Sequence, residues 1–299
     1  MTFSCKTSRY DNFYSCAGAF KIVKSDYFFA PAKVNLILKV LNRRLNGFHE
    51  IFTLMQPVSL FDIIFIKLTS DKKITLTIIN NNDLFLEKNN LIYKAAKLFF
   101  SFFKKPLGAN IRLIKNIPIA AGLGGGSSDA ANTLLGLNTL LAEPFSLNEL
   151  SKMAAELGSD VPFFIFKKTA IATGRGEKLK FLPFSLLFWY IIVSPPIKIS
   201  TAWAYQQVRL TRKKFQTKII CAQDIIKHLQ NDLETGVKKE FPEIQVAKER
   251  LKVAGAKHVI MSGSGGSVIA VFKNKKEALA VKSALKLPKN WQSFLVKGL

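Results

Sequence analysis

The sequence predicts an α+β protein built in two parts. Residues 32–41 ("AKVNLILKVL") alternate as a half-buried strand does, and further strand-like sequence follows at once. Later in the chain, segments with helical spacing alternate with apolar strand-like runs. The chain has 299 residues, of which 48% are apolar and 21% charged. A chain of this length and composition can bury a sizeable core and form one large domain or two of ordinary size.

The first part begins with strands. Residues 42–68 continue the strand pattern, and Asn46-Gly47 is a typical hairpin turn. Residues 89–103 then predict a helix, because Leu91, Ala95, Leu98 and Phe99 recur at helical intervals. Residues 109–119 ("ANIRLIKNIPI") return to a strand, which leads directly into a glycine-rich segment.

Two helices follow the glycines. Leu134, Leu137 and Leu141 have helical spacing, and residues 127–129 are of types that favour a helix start. Ser146 to Glu149 matches a capping box ahead of a second helix, for which Gly158 is the expected stop. Residues 158–160 are therefore expected to form a tight turn.

The second part alternates strands and helices. A strand is predicted at residues 188–195, helices at 221–234 and 242–255, a hairpin at 258–272, and a final helix at about 275–285. We expect an N-terminal extension at residues 1–25, a first domain at 26–175 and a C-terminal domain at 176–299.

Composition excludes several classes of protein. The longest apolar run, residues 187–193, is far shorter than the roughly 20 residues of a membrane-spanning helix. The three cysteines, Cys5, Cys16 and Cys221, are unevenly spaced, which argues against a disulfide framework or a zinc site. We therefore expect a cytoplasmic protein with no membrane partner.

The net charge of +24 makes nucleotides, phosphorylated metabolites and polyanions natural partners. The basic residues are spread along the whole chain, however, and no zinc module or aromatic RNA-binding signature accompanies them. A solvated surface explains such a distribution equally well. Nucleic acid is therefore expected only as an alternative partner.

The glycine-rich segment predicts a phosphate site. Residues 116–138 contain five of the chain's 17 glycines, and a helix start follows them. Glycines allow backbone amides to approach an anion closely, and a helix N-terminus adds unpaired amides. A tight structural turn is the alternative. Ser127 stands where a P-loop requires lysine and where a dinucleotide fingerprint requires glycine, so both of those loops are excluded.

The same segment carries a resemblance to a known family. Residues 118–131 ("PIAAGLGGGSSDAA") resemble the ATP loop of the kinases named for galactokinase, homoserine kinase, mevalonate kinase and phosphomevalonate kinase. With "PAKVNLILKVLNRRLNGFHEI" from Pro31, "LGSDVPFFI" from Leu157 and "SGSGGSVIAVF" from Ser262, the chain resembles the family that phosphorylates 4-diphosphocytidyl-2-C-methyl-D-erythritol. The resemblance runs from about residue 29 to the C-terminus.

This resemblance implies a two-domain kinase fold with its active site in the cleft between the domains. The implied reaction is transfer of the ATP γ-phosphate to the substrate's 2-hydroxyl, in the methylerythritol phosphate route to isoprenoid precursors. Mg²⁺ is expected with ATP, with Ser127 or Ser128 as possible sources of one ligand and no metal ligand assigned. The implied ATP-binding residues are Pro118, Ile119, Ala120, Ala121, Gly122, Leu123, Gly124, Gly125, Gly126, Ser127 and Ser128.

The resemblance also implies the catalytic residues. Asp160 matches the family's proposed base, although its position alone would suit a helix cap or turn. Lys33 matches the catalytic lysine, and strand alternation places it on one face with Asn35, opposite Val34, Leu36 and Leu38. Lys33 could lower the pKa of the attacking hydroxyl or hold Asp160 ionised. Asn35 is expected to orient this cluster.

The cytidine end of the substrate is expected near residues 46–50 ("NGFHE"). His49 offers a ring nitrogen to cytosine and Phe48 an aromatic face, although many relatives have tyrosine at the position of Phe48. Tyr205 corresponds approximately to a second stacking aromatic. The glycine-rich turn at residues 262–267 is a hairpin that also suits contact with substrate.

Two other functions stay open at this stage. One is a related small-molecule kinase of the mevalonate or homoserine type, against which "NGFHE" and "GSDVPFF" argue. The other is a basic nucleic-acid-binding protein that retains the fold. A monomer or a homodimer is expected in either case.

Overall fold

The computed structural model describes residues 24–45, 47–80, 89–184, 186–208 and 222–299. Cys5, Cys16, Cys221, Asn46 and residues 1–23 lie outside these ranges, so the expectations that concern them stay predictions. Within the described ranges, the helices are too short or too polar to cross a membrane. The same ranges hold no group of three His, Cys, Asp or Glu side chains placed to bind a metal ion.

A seven-stranded sheet carries most of the first part of the chain. Its strands are β1 Ser25–Arg43, β2 His49–Thr69, β3 Ile74–Ile78, β4 Gly108–Ile114, β5 Ala170–Gly174, β6 Lys178–Phe181 and β8 Gln230–Asn231. The order of the strands is β3-β4-β2-β1-β8. Strand β5 pairs with β2 and also with β6. Strands β6 and β8 follow residue 175, where the sequence predicts the division between domains, and that division stays a prediction.

Four helices pack on one face of this sheet and bury its apolar side chains. They are α1 Leu91–Phe103, α2 Gly125–Leu140, α3 Leu147–Leu157 and α4 Val161–Phe166. Phe99, Leu134 and Phe163 from three of the helices lie in one fully buried cluster with Ile64 and Ile66 of β2. Burial of each large apolar side chain is worth about 1.5–3 kcal/mol, so this cluster fixes the helices on the sheet.

The starts of α1 and α3 agree with the sequence, whereas α2 begins at Gly125, ahead of the expected start at residues 127–129. The Asn90 side chain accepts a hydrogen bond from the Ile92 amide at 2.9 Å and so caps α1. Ser146 and Glu149 form the expected capping box at the start of α3, and Gly158 is its C-cap residue. These local signals place α3 directly before the turn that carries Asp160.

A four-stranded antiparallel sheet forms the second part. Its strands, in the order β11-β7-β10-β9, are β11 Gln292–Lys297, β7 Trp189–Ser194, β10 Val268–Phe272 and β9 Val259–Met261. The accompanying helices are α5 Thr201–Gln206, α6 Ala222–Lys227, α7 Glu234–Glu240, α8 Glu243–Val253 and α9 Lys275–Ala284. A second apolar cluster joins the two sheets through Leu36 and Leu54 of the first and Ile192 of the second.

One predicted helix, over residues 221–234, is only partly confirmed, as α6. The chain does not remain helical over residues 221–234, because Gln230–Asn231 form β8 between α6 and α7. Gln230 pairs with Ile37 of β1, and Asn231 pairs with Leu38. Pairing with a distant strand therefore overrides the local helical spacing, and it draws this segment of the second part towards β1.

Candidate active site

A cleft of about 1570 Å³ collects most of the residues that the sequence singles out. Those that line it are Lys33, Asn35, Phe48, His49, Pro118, Ile119, Ala120, Gly122, Gly124, Gly125, Gly126, Ser127, Asp160 and Tyr205. Ala121, Leu123 and Ser128 are buried and do not line it. Within the glycine-rich segment, these three side chains therefore pack beneath the surface that faces the cleft.

The glycine loop, residues 118–126, follows β4 and runs into the first turn of α2. Gly122 and Gly124 have φ angles of +75° and +70°, a region that glycine adopts without strain. Gly124 is the N-cap residue of α2 and supplies no side-chain cap, so the first amides of the helix remain available to an anion. The amide of Lys33 in β1 donates to the Leu123 carbonyl at 2.9 Å and fixes the loop beside that strand.

The loop between β9 and β10, residues 262–267, docks directly on the glycine loop. The Ser267 amide donates to the Ala121 carbonyl at 3.2 Å. A Cβ on Gly122 would lie 2.3 Å from the Ser262 carbonyl oxygen, and one on Gly265 would lie 2.0 Å from the Gly122 nitrogen. The two loops thus meet backbone to backbone, in a contact that only glycine permits.

Lys33 and Asp160 meet beside the glycine loop. The Lys33 ammonium lies 3.8 Å from a carboxylate oxygen of Asp160, and Lys33 is only 5% exposed. Burial lowers the pKa of Lys33, and the Asp160 carboxylate partly offsets this effect. Asp160 is the N-cap residue of α4 but makes no side-chain cap hydrogen bond. Its carboxylate is therefore free of the capping role that its position alone suggested.

The strand alternation expected along β1 changes at a bulge. Lys33 and Asn35 both line the cleft, while Val34 and Leu36 lie in the apolar cluster between the sheets. The pairing register with β2 shifts between Asn35 and Ile37. Leu38 consequently lines the cleft, on the side opposite to the one that strict alternation predicted.

Aromatic rings cluster at the other end of the cleft. The His49 and Tyr205 rings are stacked, with centroids 5.5 Å apart and an interplanar angle of 22°. Burial, together with the nearby Arg43 guanidinium, lowers the pKa of His49. The imidazole is therefore neutral near pH 7, with one donor and one acceptor nitrogen.

Phe48 lies at the same end and is 54% exposed. The Arg175 guanidinium carbon lies 5.1 Å from the centroid of the Phe48 ring, within the range of a cation–π interaction. Arg175 also lines the cleft, although nothing in the sequence distinguishes it from the other basic residues. A positive charge thus stands beside the ring that lacks the tyrosine hydroxyl.

A buried charge cluster beneath the glycine loop also escaped the sequence analysis. The Lys115 ammonium pairs with Asp62 and, at 3.0 Å, with Asp129. Burial raises the pKa of Asp129 to about 8, and the neighbouring Asp62 adds to this effect. The Asp129 Oδ1 atom is buried and has no hydrogen-bond partner among the described residues. Three ionisable side chains from separate segments of the chain therefore meet at the start of α2.

Comparisons with known proteins agree with this architecture. The GHMP kinases N terminal domain family matches residues 90–168, and the GHMP kinases C terminal family matches residues 218–289. A crystal structure of homoserine kinase from Cytophaga hutchinsonii superposes with a TM-score of 0.71 at 19% identity, over 96% of this chain and 97% of that one. At that identity the likeness concerns the fold alone. The fold and the glycine loop thus define a GHMP kinase.

More similar proteins narrow this class. A 4-diphosphocytidyl-2-C-methyl-D-erythritol kinase from Syntrophotalea carbinolica is 40% identical over 283 residues, 90% of this chain and 98% of its own length. A crystal structure of 4-(cytidine 5'-diphospho)-2C-methyl-D-erythritol kinase has a TM-score of 0.76 at 32% identity, over 92% of this chain and 100% of that one. The chain belongs to the 4-diphosphocytidyl-2-C-methyl-D-erythritol kinase family.

Proposed function

We propose that the chain transfers the γ-phosphate of ATP to the 2-hydroxyl of 4-diphosphocytidyl-2-C-methyl-D-erythritol, a step in isoprenoid precursor synthesis. The observation that carries this proposal is the Lys33–Asp160 pair, which lies in one cleft between the glycine loop and the His49–Tyr205 stack. Phosphate donor, reacting hydroxyl and cytosine base thus each have a suitable partner along that cleft.

The chemistry follows from the positions of the two charged groups. The substrate hydroxyl gives its proton to the Asp160 carboxylate as its oxygen attacks the γ-phosphorus. The bond from that phosphorus to the bridging β-oxygen breaks, and ADP leaves. The Lys33 ammonium lies 3.8 Å from Asp160 and offsets negative charge on the phosphoryl group in transit.

The glycine loop binds the phosphates of ATP in this proposal. Amides at the start of α2 and the cluster of glycines with positive φ angles provide donors without side chains in the way. Mg²⁺ suits the oxygen groups present, because Ser127 and Asp129 both line the cleft and Asp129 Oδ1 lacks a partner among the described residues. These two residues would hold the ion, which neutralises phosphate charge when bound.

The aromatic end binds the cytidine diphosphate portion. His49 can donate to or accept from the edge of cytosine, while Phe48 and Tyr205 offer ring faces. The Arg175 guanidinium contacts the Phe48 ring, and its Nε lies 4.0 Å from the Glu177 carboxylate. Its planar, charged donor groups suit an anionic diphosphate nearby.

The proposal is tested by measuring ADP release with Mg-ATP and one of four acceptor conditions. These are the cytidylyl alcohol, mevalonate, homoserine and no acceptor. Turnover with the cytidylyl alcohol alone is expected. Turnover with mevalonate or homoserine instead would overturn the assignment of the aromatic end. Tight, salt-sensitive binding to polynucleotide without any turnover would favour the nucleic-acid alternative.

We expect His49→Ala to raise KM for the cytidylyl alcohol about tenfold, since one lost hydrogen bond and stacking contact is worth about 1.4 kcal/mol. KM for ATP should change less than twofold. Steady-state kinetics with each substrate varied in turn measures both constants. The control is His228→Ala, which removes an exposed histidine outside the cleft. An equal rise in both KM values for His49→Ala would indicate a folding defect and contradict the assignment.

A further inference from the structure

Asn35 lies between Lys33 and a residue so far without a role, Thr53 of β2. The Lys33 ammonium donates a hydrogen bond to Asn35 Oδ1. Asn35 Nδ2 donates to the Thr53 hydroxyl at 2.7 Å, and this hydroxyl donates to the Ile37 carbonyl at 2.8 Å. Lys33, Asn35 and Thr53 are all at least 95% buried, with exposures of 5%, 3% and 2%.

The direction of these hydrogen bonds follows from the chemistry of the groups. A backbone carbonyl only accepts, so the single hydroxyl proton of Thr53 is committed to Ile37. The Thr53 oxygen must then accept from Asn35, which requires that the amide nitrogen of Asn35 faces Thr53. The amide oxygen of Asn35 is thereby turned towards Lys33.

The bulge in β1 makes this arrangement possible. The register shift between Asn35 and Ile37 brings the Ile37 carbonyl within reach of the Thr53 hydroxyl, although Thr53 itself pairs with Leu38. Thr53 thus donates to a backbone carbonyl of β1 and orients the side chain of Asn35, which lies in the same strand.

This orientation decides where the Lys33 ammonium lies. With the amide oxygen facing it, the ammonium has a neutral acceptor on one side and the Asp160 carboxylate 3.8 Å away. A reversed amide would present its own N–H groups to the ammonium, and two donors repel each other. The buried ammonium would then lose its anchor beside Asp160.

We propose that Thr53 is a positioning residue for phosphoryl transfer, acting through the amide of Asn35 on the Lys33 ammonium. This inference rests on the proposed function. It predicts that the Thr53 hydroxyl affects the chemical step, whereas binding of ATP and of the acceptor depends on other residues.

The first test compares Thr53→Val and Thr53→Ser in the full chain with Mg-ATP and the cytidylyl alcohol. Thr53→Val keeps the volume and removes the hydroxyl, so we expect kcat to fall about tenfold, in line with the cost of small misplacements in an active site. Both KM values should stay within twofold. Thr53→Ser keeps the hydroxyl and should restore at least half of the wild-type kcat.

The second test is a double-mutant cycle with Asn35→Ala. If Thr53 acts through Asn35, then Thr53→Val lowers kcat tenfold in the wild-type background and leaves it unchanged in the Asn35→Ala background. Multiplicative losses would overturn the proposal, and so would full activity of Thr53→Val. Absence of turnover by the wild type would overturn the proposed function itself, and the two failures are thereby distinguishable.

A matched control separates the effect of Thr53 on Asn35 and Lys33 from a general loss of stability. Thr133 is also buried and also donates to a backbone carbonyl, that of Asp129 at 2.8 Å, but it does not line the cleft. Thr133→Val should lower the thermal unfolding midpoint as much as Thr53→Val does while kcat is retained. Equal losses of kcat in the two variants would show a merely structural role for Thr53 and contradict the proposal.

Discussion

Asp160→Asn should lower kcat by about a thousandfold while ATP still binds. The amide has nearly the same shape as the carboxylate but cannot accept the hydroxyl proton, and general-base contributions are typically 10²–10⁴-fold. Loss of the carboxylate also removes the negative charge that partly offsets the effect of burial, so the pKa of Lys33 should fall further below its usual value. Single-turnover kinetics measure the phosphoryl-transfer step, and calorimetry measures ATP binding. Together they show whether the variant loses the chemical step while it keeps its affinity for ATP.

The control for this variant is Asp232→Asn. Asp232 also pairs with a lysine, Lys39 at 3.0 Å, and has a similar exposure, but it does not line the cleft. Its replacement should reduce stability and leave kcat within about twofold of the wild type. If Asp160→Asn retained more than a tenth of the wild-type kcat, Asp160 would not be the base.

Gly122→Ala should disrupt the ATP end of the cleft. The added Cβ would lie 2.3 Å from the Ser262 carbonyl oxygen and 2.7 Å from the Gly265 nitrogen, and neither backbone group can move without displacing its loop. The positive φ angle adds about 1–2 kcal/mol of strain for a residue with a Cβ. We expect a loss of about 2–4 kcal/mol in the free energy of unfolding and at least a tenfold rise in KM for ATP.

Gly255→Ala is the matched variant for this prediction. Gly255 also has a positive φ angle, of +105°, but its Cβ would meet only a methyl carbon of Val281 at 3.6 Å, an ordinary contact. Gly255→Ala should therefore lower the free energy of unfolding only by the backbone strain and leave KM for ATP unchanged. Equal thermal destabilisation by the two substitutions would show that the contact between the loops contributes nothing.

Local signals in the sequence predicted those elements whose formation depends on their own residues. The helix predicted at residues 89–103 is confirmed as Leu91–Phe103, and so is the capping box at Ser146, because periodicity and caps act within a few residues. β8 was missed, because Gln230 and Asn231 are extended through pairing with β1, far away in sequence. The bulge at Leu36 escaped prediction for a similar reason, since it is defined by register with a second strand.

In the candidate site, too, residues with a local signal could be predicted, whereas residues that depend on distant contacts could not. The glycines and the helix start could be predicted as a phosphate site from their own chemistry, whereas the roles of Lys33 and Asp160 came from the family resemblance. Lys115 could not be distinguished among 44 basic residues, because its carboxylate partners come from two other segments. Thr53 and Arg175 carried no signal in the sequence, since each acquires its importance only through a contact across the fold.

The docking of the 262–267 loop on the glycine loop has a consequence for the newly made chain. β9 and β10, which hold that loop, come near the end of the sequence, whereas Lys33, the glycine loop and Asp160 are translated long before. The glycine loop is therefore left without its supporting loop until synthesis is nearly complete. An unfinished chain, or one truncated before β9, would carry Lys33, the glycine loop and Asp160 without the loop that docks against the glycine loop.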